Sequence, residues 1–207
     1  MGGPRPGPIP PKLRACSSAS RAWGFFPRGS IFSLFVLLAI TAPLSASAQN
    51  PRESQIKAVL LFNLSRFVDW PAAAFSETNS PFVIGIVGKD PFGSALDDAV
   101  AGEKLNGRKI IVERYSSPGA INPCHILFIA NSARPRLQEI LDSQKSRPVL
   151  TVSEIDGFSG PLGGMVRLYI NLENKPRLQI NAQLAQSANL HISSKLLQLA
   201  ELTKSSP

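Results

Sequence analysis

The chain has few of the side chains that catalytic and metal sites need. Its 207 residues include only two cysteines and two histidines. A structural zinc site needs four Cys or His ligands, and a catalytic site usually needs three protein ligands. The sequence contains no G-x-S-x-G nucleophile elbow and no G-x-x-x-x-G-K-[ST] or G-x-G-x-x-G phosphate loop. We therefore predict no catalytic set, no metal centre and no bound cofactor.

Charge is scarce and unevenly placed. Charged residues make up 17% of the chain and hydrophobic residues 43%, which excludes a highly charged disordered protein. Residues 1–48 contain five basic residues and no acidic one, so residues 49–207 carry 17 basic and 14 acidic side chains, a net charge of +3 against +8 overall. That part lacks basic runs interleaved with aromatic residues, so no nucleic-acid partner is expected.

Residues 1–48 have the composition of a secretory signal. The basic segment is followed by the apolar run IFSLFVLLAI at residues 31–40 and by Ala46-Ser47-Ala48, small residues that suit signal peptidase. The apolar run is shorter than the roughly 20 residues that span a bilayer. We expect a cleaved signal in residues 1–48 and one exported domain in residues 49–207; an uncleaved membrane anchor is the alternative.

Cys124 is the single cysteine of that domain, so an intramolecular disulfide is excluded there. A chain of this length can bury a full core without disulfide bonds. Cys124 and His125 lie at the start of a predicted strand, and adjacent strand residues point to opposite faces. A buried, inert thiol is the simpler interpretation, while an intermolecular bridge or a reactive thiol stays open.

Apolar periodicity predicts alternating helices and strands. The predicted helices are residues 53–68, 91–100 and 134–144, and the predicted strands are residues 82–87, 109–112, 126–130 and 149–152. Pro71 ends the first helix region, and Ser153 is placed to cap a turn after the fourth strand. We expect Ile126, Phe128 and Leu168 to be buried in the core.

The pattern changes to a period of two after residue 164. Residues 165–172 and 177–181 alternate around a turn, which predicts an antiparallel hairpin at one side of the sheet. Residues 182–202 are predicted to be helical, with a break near His191. The sequence therefore predicts a single three-layer α/β domain: a mixed, mostly parallel sheet flanked by α-helices, with a C-terminal antiparallel hairpin and helices.

The loop at residues 88–93 follows a strand and precedes a helix, where open α/β sheets bind ligands. Asp90 fits a helix N-cap and Pro91 the first helical position. The Asp90 carboxylate would repel an anionic ligand. The simpler interpretation of this loop is a capping turn with Phe92 packed on the core. Asp90 and Phe92 are nevertheless candidate contacts.

Four other residues, Arg167, Tyr169, Arg177 and His191, are candidate ligand or partner contacts. Arg167 and Tyr169, with Arg177 and Gln179 on the facing strand, are predicted to line one face of the hairpin. The simpler interpretation is a solvent-exposed face. The alternative is a surface that binds a partner protein, because Arg and Tyr are enriched at interfaces. His191, between two helical stretches, is a candidate ligand contact, although a capping or surface role is simpler.

Seven motifs occur in an order and spacing that resemble the YfiR family of periplasmic proteins, over about residues 53–202. They are FVDWP at residues 67–71, GKDPFG at 88–93, LNGR at 105–108, CHILFI at 124–129, VLTVS at 149–153, GGM at 163–165, and IN at 180–181 followed by ISSKLL at 192–197.

The resemblance implies a periplasmic regulator that is not an enzyme. Such a protein binds the periplasmic sensor portion of an inner-membrane diguanylate cyclase and holds it inactive, and its release raises cyclic di-GMP and favours biofilm. An outer-membrane lipoprotein that sequesters the repressor, and a homodimer, are implied as further partners. A small-molecule binding module without a cyclase partner is the alternative, and a hydrolase using Cys124 or Ser132 is a third.

The resemblance also implies a role for Cys124, which matches a cysteine that family members use in redox-responsive disulfides. The position expected for its partner is Gly85 or a neighbour, and none of these residues is cysteine. Residues 158–164, where a second bridge is implied, also lack cysteine. Cys124 is thus a candidate redox-responsive residue without an intramolecular partner.

Overall fold

The structure is a computed structural model that describes residues 51–204. The predicted signal in residues 1–48 lies outside the described residues. Within residues 51–204, none of the helices combines the length and the apolar character that a membrane span requires.

Ten strands and five α-helices make up the described part of the chain. The strands are β1 (Val68–Asp69), β2 (Phe82–Val87), β3 (Lys104–Leu105), β4 (Arg108–Tyr115), β5 (Ile126–Ile129), β6 (Leu150–Ser153), β7 (Val166–Ile170), β8 (Pro176–Ile180), β9 (His191–Ile192) and β10 (Glu201–Leu202). The helices are α1 (Pro51–Leu64), α2 (Ser94–Val100), α3 (Leu137–Gln144), α4 (Ala182–Ser187) and α5 (Ser194–Leu199), with 3-10 turns at Ala72–Ala74, Pro118–Ala120 and Asn131–Arg136.

Eight of the strands form one mixed sheet in the order β10-β8-β7-β6-β5-β2-β4-β3. The pairs from β4 through β2, β5 and β6 to β7 are parallel, whereas β8 runs antiparallel to β7 and β3 antiparallel to β4. Strands β1 and β9 pair separately as a short antiparallel ladder. The predicted α/β class with a mostly parallel mixed sheet is confirmed.

The sheet separates two apolar cores, because successive side chains of a strand point to opposite faces. On the first face, Phe82, Ile84 and Ile86 pack with residues of α1, α2, α4 and α5. On the second face, Val83 and Val87 pack with residues of α3 and with Ile155 and Phe158. The three residues expected in the core, Ile126, Phe128 and Leu168, are fully buried, which confirms that prediction.

The predicted N-cap role of Asp90 is wrong. Asp90 Oδ1 accepts hydrogen bonds from the backbone N–H groups of Phe92 (2.6 Å) and Gly93 (3.3 Å), so it closes a turn before the helix. Gly93 has φ of 56°, a value that glycine adopts readily, and α2 begins only at Ser94. Pro91 therefore lies in the turn.

Two other predicted helices are shorter than expected. The first ends at Leu64, and Val68–Asp69 pairs with His191–Ile192 as a strand. Pro135 lies within a 3-10 turn that precedes α3, so the α-helix starts at Leu137.

The prediction of helix throughout residues 182–202 is also wrong, although the predicted break near His191 is confirmed. β9 separates α4 from α5, and Glu201–Leu202 forms the edge strand β10 beside β8. Pairing with β8 thus overrides the helical propensity of this Ala- and Leu-rich segment.

Candidate functional site

The hairpin of β7 and β8 presents a polar surface on the second face of the sheet. Val166, Leu168 and Ile180 point into the first core, so the intervening residues point the other way. Tyr169 pairs with Arg177 across the two strands, and Arg167 pairs with Gln179. The predicted clustering of these four side chains is therefore confirmed.

One acidic residue, Glu201 of β10, completes this surface. Its carboxylate accepts hydrogen bonds from the Tyr169 hydroxyl at 3.1 Å and from Gln179 Nε2 at 2.9 Å. We call the set of Arg167, Tyr169, Arg177, Gln179 and Glu201 the hairpin face. Sequence reasoning missed Glu201 because it assigned residues 182–202 to helix, and a two-residue edge strand has no periodic signal.

Arg167 is the most constrained member of the hairpin face. Its guanidinium lies 4.4 Å from the centre of the Tyr169 ring, and its Nη1 donates to Gln179 Oε1 at 3.3 Å. Its Nη2 lies 2.9 Å from the carboxylate of Asp156, and 17% of its side chain is exposed. The network holds a cation against an aromatic ring, a geometry that is favourable in itself.

The protonation states on the hairpin face are set by the same contacts. Burial and the hydrogen bond to Glu201 raise the pKa of Tyr169 above its usual value. Hydrogen bonds from Gln179 and Tyr169 lower the pKa of Glu201. At neutral pH Tyr169 is therefore neutral and Glu201 is a carboxylate.

No helix covers the hairpin face within the described residues. The second core, which α3 covers, includes no residue of β7, β8 or β10. Arg177 and Glu201 are exposed, and Tyr169 and Gln179 are partly exposed. The hairpin face is thus an ordered and accessible surface beside a helix-covered part of the same sheet.

The loop at residues 88–93 is filled by the protein's own side chains. Arg114 Nε lies 2.7 Å from Asp90 Oδ2, and Arg114 Nη2 lies 2.6 Å from Asp97 Oδ2. Hydrogen bonds to Asp97, and then to Asp90, raise the pKa of Arg114. Phe92 is buried, with its ring 4.7 Å from that of Phe128. Phe92 therefore packs in the core, and Asp90 forms an ion pair with Arg114.

The strand end beside this loop is closed as well. Ser132 Oγ accepts a hydrogen bond from the Lys89 N–H at 2.7 Å, and a β-carbon built on Gly88 would lie 2.7 Å from the same oxygen. The crevice between β2 and β5, where the strand order reverses, is the usual ligand position in an open α/β sheet. Here it is occupied by Ser132.

Cys124 and His125 face opposite cores, as predicted. Cys124 packs in the second core, and burial raises the pKa of its thiol to about 12. His125 lies between the rings of Phe75 and Phe82, with centroids at 4.5 and 4.6 Å. Its Nδ1 accepts from the Val83 N–H at 3.0 Å, and burial lowers its pKa to about 4. The thiol and the imidazole are therefore both neutral and enclosed at pH 7.

His191 lies away from these groups in sequence and is exposed in β9, opposite Asp69 of β1. Among the described residues, no cluster of three or more His, Cys, Asp or Glu side chains has a geometry suited to a metal ion. Of the polar candidates, the structure brings Arg167, Tyr169 and Arg177 together on the hairpin face, whereas His191 lies elsewhere.

The residues that build this face belong to a segment with known relatives. Residues 54–201 match the YfiR/HmsC-like family. The chain belongs to the YfiR/HmsC-like family. The family is periplasmic and is regulatory rather than catalytic. No curated protein matches the chain.

The YfiR/HmsC-like segment contains the whole hairpin face, from Arg167 to Glu201, and also Cys124 and His191. The match confirms the resemblance drawn from the seven motifs. Membership of a regulatory family agrees with the placement of polar groups on an open sheet face instead of in a cleft. Family membership associates the chain with periplasmic regulation of cyclic di-GMP signalling.

Proposed function

We propose that this protein is a periplasmic regulator that binds and represses the periplasmic sensor portion of an inner-membrane diguanylate cyclase. Through that contact it controls cyclic di-GMP signalling and biofilm formation. The YfiR/HmsC-like match over residues 54–201 is the observation that carries the proposal. A cleaved signal in residues 1–48 exports the domain to the compartment where the sensor portion lies.

The hairpin face supports a function in protein binding. Arg and Tyr are enriched in protein–protein interfaces, where they contribute a large share of hot spots. Arg167 and Tyr169 are already held in place by Asp156, Gln179 and Glu201. Binding to an ordered side chain loses less conformational entropy than binding to a free one, so this face suits a stable complex.

Two further partners belong to the same proposal. An outer-membrane lipoprotein captures the regulator and relieves repression, and the regulator also forms a homodimer. Exposed leucines lie on the hairpin turn and near the C-terminal edge strand, at Leu172, Leu199 and Leu202. Such side chains favour self-association because burying them removes apolar surface from water.

The test is the cellular concentration of cyclic di-GMP in a strain that lacks this protein. We expect a rise on deletion, and its loss when the gene of the partner cyclase is also deleted. No change on deletion would contradict repression and would favour the alternative, a periplasmic module that binds a small molecule without a cyclase partner.

Complementation then tests the hairpin face. Arg177→Glu reverses an exposed charge on the face, and we expect it to restore repression less than the wild-type protein does. Arg134→Glu is the matched control, since it makes the same charge change at an exposed position outside the face. Equal complementation by both variants would place the partner elsewhere on the protein.

A further inference from the structure

The two ends of the large sheet differ in the length of their outer strands. At one end lies β10, which has only two residues. At the other end β4 has eight residues, and β3 pairs only with Arg108 and Lys109. Short edge strands, prolines and bulges commonly prevent a sheet edge from pairing with other chains. Residues 110–115 contain no proline and pair with β2 without interruption, so the outer edge of β4 lacks these protections.

The backbone of β4 leaves hydrogen-bonding groups on its outer side. The Tyr115 C=O accepts a hydrogen bond from the Gly88 N–H at 3.3 Å, so it points toward β2. Successive residues of a strand direct their N–H and C=O groups to opposite sides, so those of Val112 and Arg114 point outward. Within residues 51–204, no backbone hydrogen bond or strand pair satisfies these outward groups. Such a row of unpaired groups is a template for another strand.

A mainly apolar groove of about 430 Å³ lies beside this edge, on the first face of the sheet. It is lined by Ile110 and Val112 of β4 and by Val100 and Ala101, where α2 ends. Side chains of a strand alternate between the two faces of a sheet. A strand added along β4 therefore places every second side chain in the groove, where apolar side chains are favoured because they leave water.

The second face of the same edge is basic. Ile111 packs against the second core, and Lys109, two residues earlier in the strand, points to the same face. Lys104 of β3 lies directly across from Lys109. Both lysines are exposed, and neither forms an ion pair with any other residue of the described chain. Like charges directly opposite each other are destabilising, so a carboxylate placed beside both lysines is favourable.

The carboxylates that line the groove are already paired with arginines. Asp97 Oδ2 lies 2.6 Å from Arg114 Nη2, and Glu103 Oε2 lies 2.8 Å from Arg66 Nη2. The lysines of β3 and β4 therefore give this edge its unpaired charge, which is positive. That charge favours an acidic partner over a basic one.

We propose that the outer edge of β4 binds an extended, acidic segment of a partner protein. The segment adds a strand beside Val112 and Arg114, places apolar side chains in the groove and brings a carboxylate to Lys104 and Lys109. Strand addition of this kind is a recurring mode of peptide recognition. The edge shares no residue with the hairpin face and lies at the other end of the sheet. The proposal does not require the partner to be a cyclase.

The probe for this edge is the peptide Glu-Val-Thr-Val-Thr-Val-Glu, amidated and labelled with a fluorophore at its N-terminus. Its valines share one face and its glutamates the other, and its sequence is the same in both directions. A glutamate therefore reaches the lysines whichever way the strand runs. We expect saturable binding to the purified protein in fluorescence anisotropy, with one site per chain. Bound peptide should slow amide hydrogen exchange at Val112 and Arg114 about tenfold, measured by NMR.

Val112→Pro tests the backbone pairing. Proline removes an outward N–H and leaves the hydrogen bonds to β2 in place, and edge strands tolerate it. We expect the affinity for the peptide to fall about tenfold, as for a lost hydrogen bond. Val112→Thr keeps both the N–H and the branched shape, so it is the matched control and should bind nearly as tightly as the wild type. Circular dichroism checks that both variants are folded.

Lys109→Glu tests the charge without altering the backbone. It should weaken binding of the glutamate peptide about fivefold and should bind Lys-Val-Thr-Val-Thr-Val-Lys more tightly than the wild type does. Lys195→Glu makes the same charge change at an exposed position in α5 and should alter neither affinity.

The proposal is overturned if the glutamate peptide does not saturate, or if it leaves the amides of Val112 and Arg114 unprotected. It is equally overturned if Val112→Pro binds the peptide as tightly as Val112→Thr, or if Lys109→Glu does not change the preference between the two peptides. A dimer of the unbound protein that Val112→Pro converts to monomer would show that a second copy of the chain pairs with this edge, and would also overturn it.

Discussion

Gly85 faces the thiol of Cys124 on the second face of the sheet. A β-carbon built on Gly85 would lie 3.3 Å from Cys124 Sγ and 2.7 Å from Cε2 of the Tyr115 ring. The position at which the family resemblance implied a disulfide partner is therefore adjacent to Cys124, but in this chain it is held by a glycine. The Tyr115 ring packs where a side chain at position 85 would lie.

This relationship predicts that Gly85→Cys forms a disulfide with Cys124 when the protein is refolded in an oxidising glutathione buffer. Enclosing a loop of this kind typically stabilises a protein by about 2–4 kcal/mol relative to the reduced form. Mass spectrometry would show the loss of two hydrogens, and urea unfolding with and without reductant would measure the gain.

Gly85→Ser is the matched control for that experiment. It places a side chain of similar size against Tyr115 and cannot be cross-linked, so it reports the cost of crowding alone. Two free thiols in oxidised Gly85→Cys, titrated in the unfolded protein, would show that the positions do not approach closely enough.

A second prediction compares two leucines close together in the hairpin. Leu168 is fully buried in the first core, whereas Leu172, just beyond the end of β7, is fully exposed. We expect Leu168→Ala to lower the free energy of unfolding by about 2–5 kcal/mol, as for other buried leucines. Leu172→Ala should change it by less than about 0.5 kcal/mol. Equal losses in urea unfolding would mean that the strand faces are assigned wrongly.

The fold could be predicted best where the chain is buried on both faces. All six residues of β2, FVIGIV, are buried, and its predicted ends coincide with the observed ones. A strand between parallel neighbours in the middle of a sheet is a continuous apolar run, and that signal is local. The edge strand β10 has only two residues, both exposed, so its pairing with β8 could not be seen in a local pattern.

The candidate site, like the fold, has one part that could be predicted from the sequence and one part that could not. Arg167, Tyr169 and Arg177 share a face because of the period of two and a short turn, both visible in the sequence. Asp156 and Glu201 join them from distant parts of the chain. Their positions beside the hairpin depend on the path by which the chain returns to the edge of the sheet. No sequence motif indicates that path.

A third prediction concerns Gly164, which precedes β7. A β-carbon built there would overlap three ring carbons of Phe158, which is fully buried. Overpacking of this kind costs about 1–3 kcal/mol, so Gly164→Ala should lower the thermal midpoint clearly.

Gly119→Ala is the matched control for Gly164→Ala. Gly119 is exposed in a 3-10 turn, and a β-carbon there would meet no atom within 4 Å. Where the backbone conformation suits alanine, this exchange stabilises proteins by about 0.4–1 kcal/mol through the unfolded state. A Gly164→Ala protein as stable as Gly119→Ala would show that the loop and Phe158 rearrange easily.

The last prediction is an acid sensitivity that originates at His125. Burial lowers its pKa in the folded protein to about 4, against about 6.5 in an unfolded chain. Between these values the unfolded chain binds a proton that the folded protein does not, so stability falls as the pH falls. From this residue alone, we expect a loss of about 2 kcal/mol between pH 7 and pH 5.

Urea unfolding of His125→Asn over the same pH range isolates the contribution of this residue. The asparagine Oδ1 replaces Nδ1 as the acceptor for the Val83 N–H, but the side chain does not titrate. The variant should be less stable at pH 7, because the stacking with Phe75 and Phe82 is lost, and should lose about 2 kcal/mol less than the wild type on going to pH 5. If the free energies of unfolding of the two proteins changed in parallel with pH, the imidazole would be protonated as easily in the folded protein as in the unfolded chain. That result would contradict the enclosure of His125 between two aromatic rings.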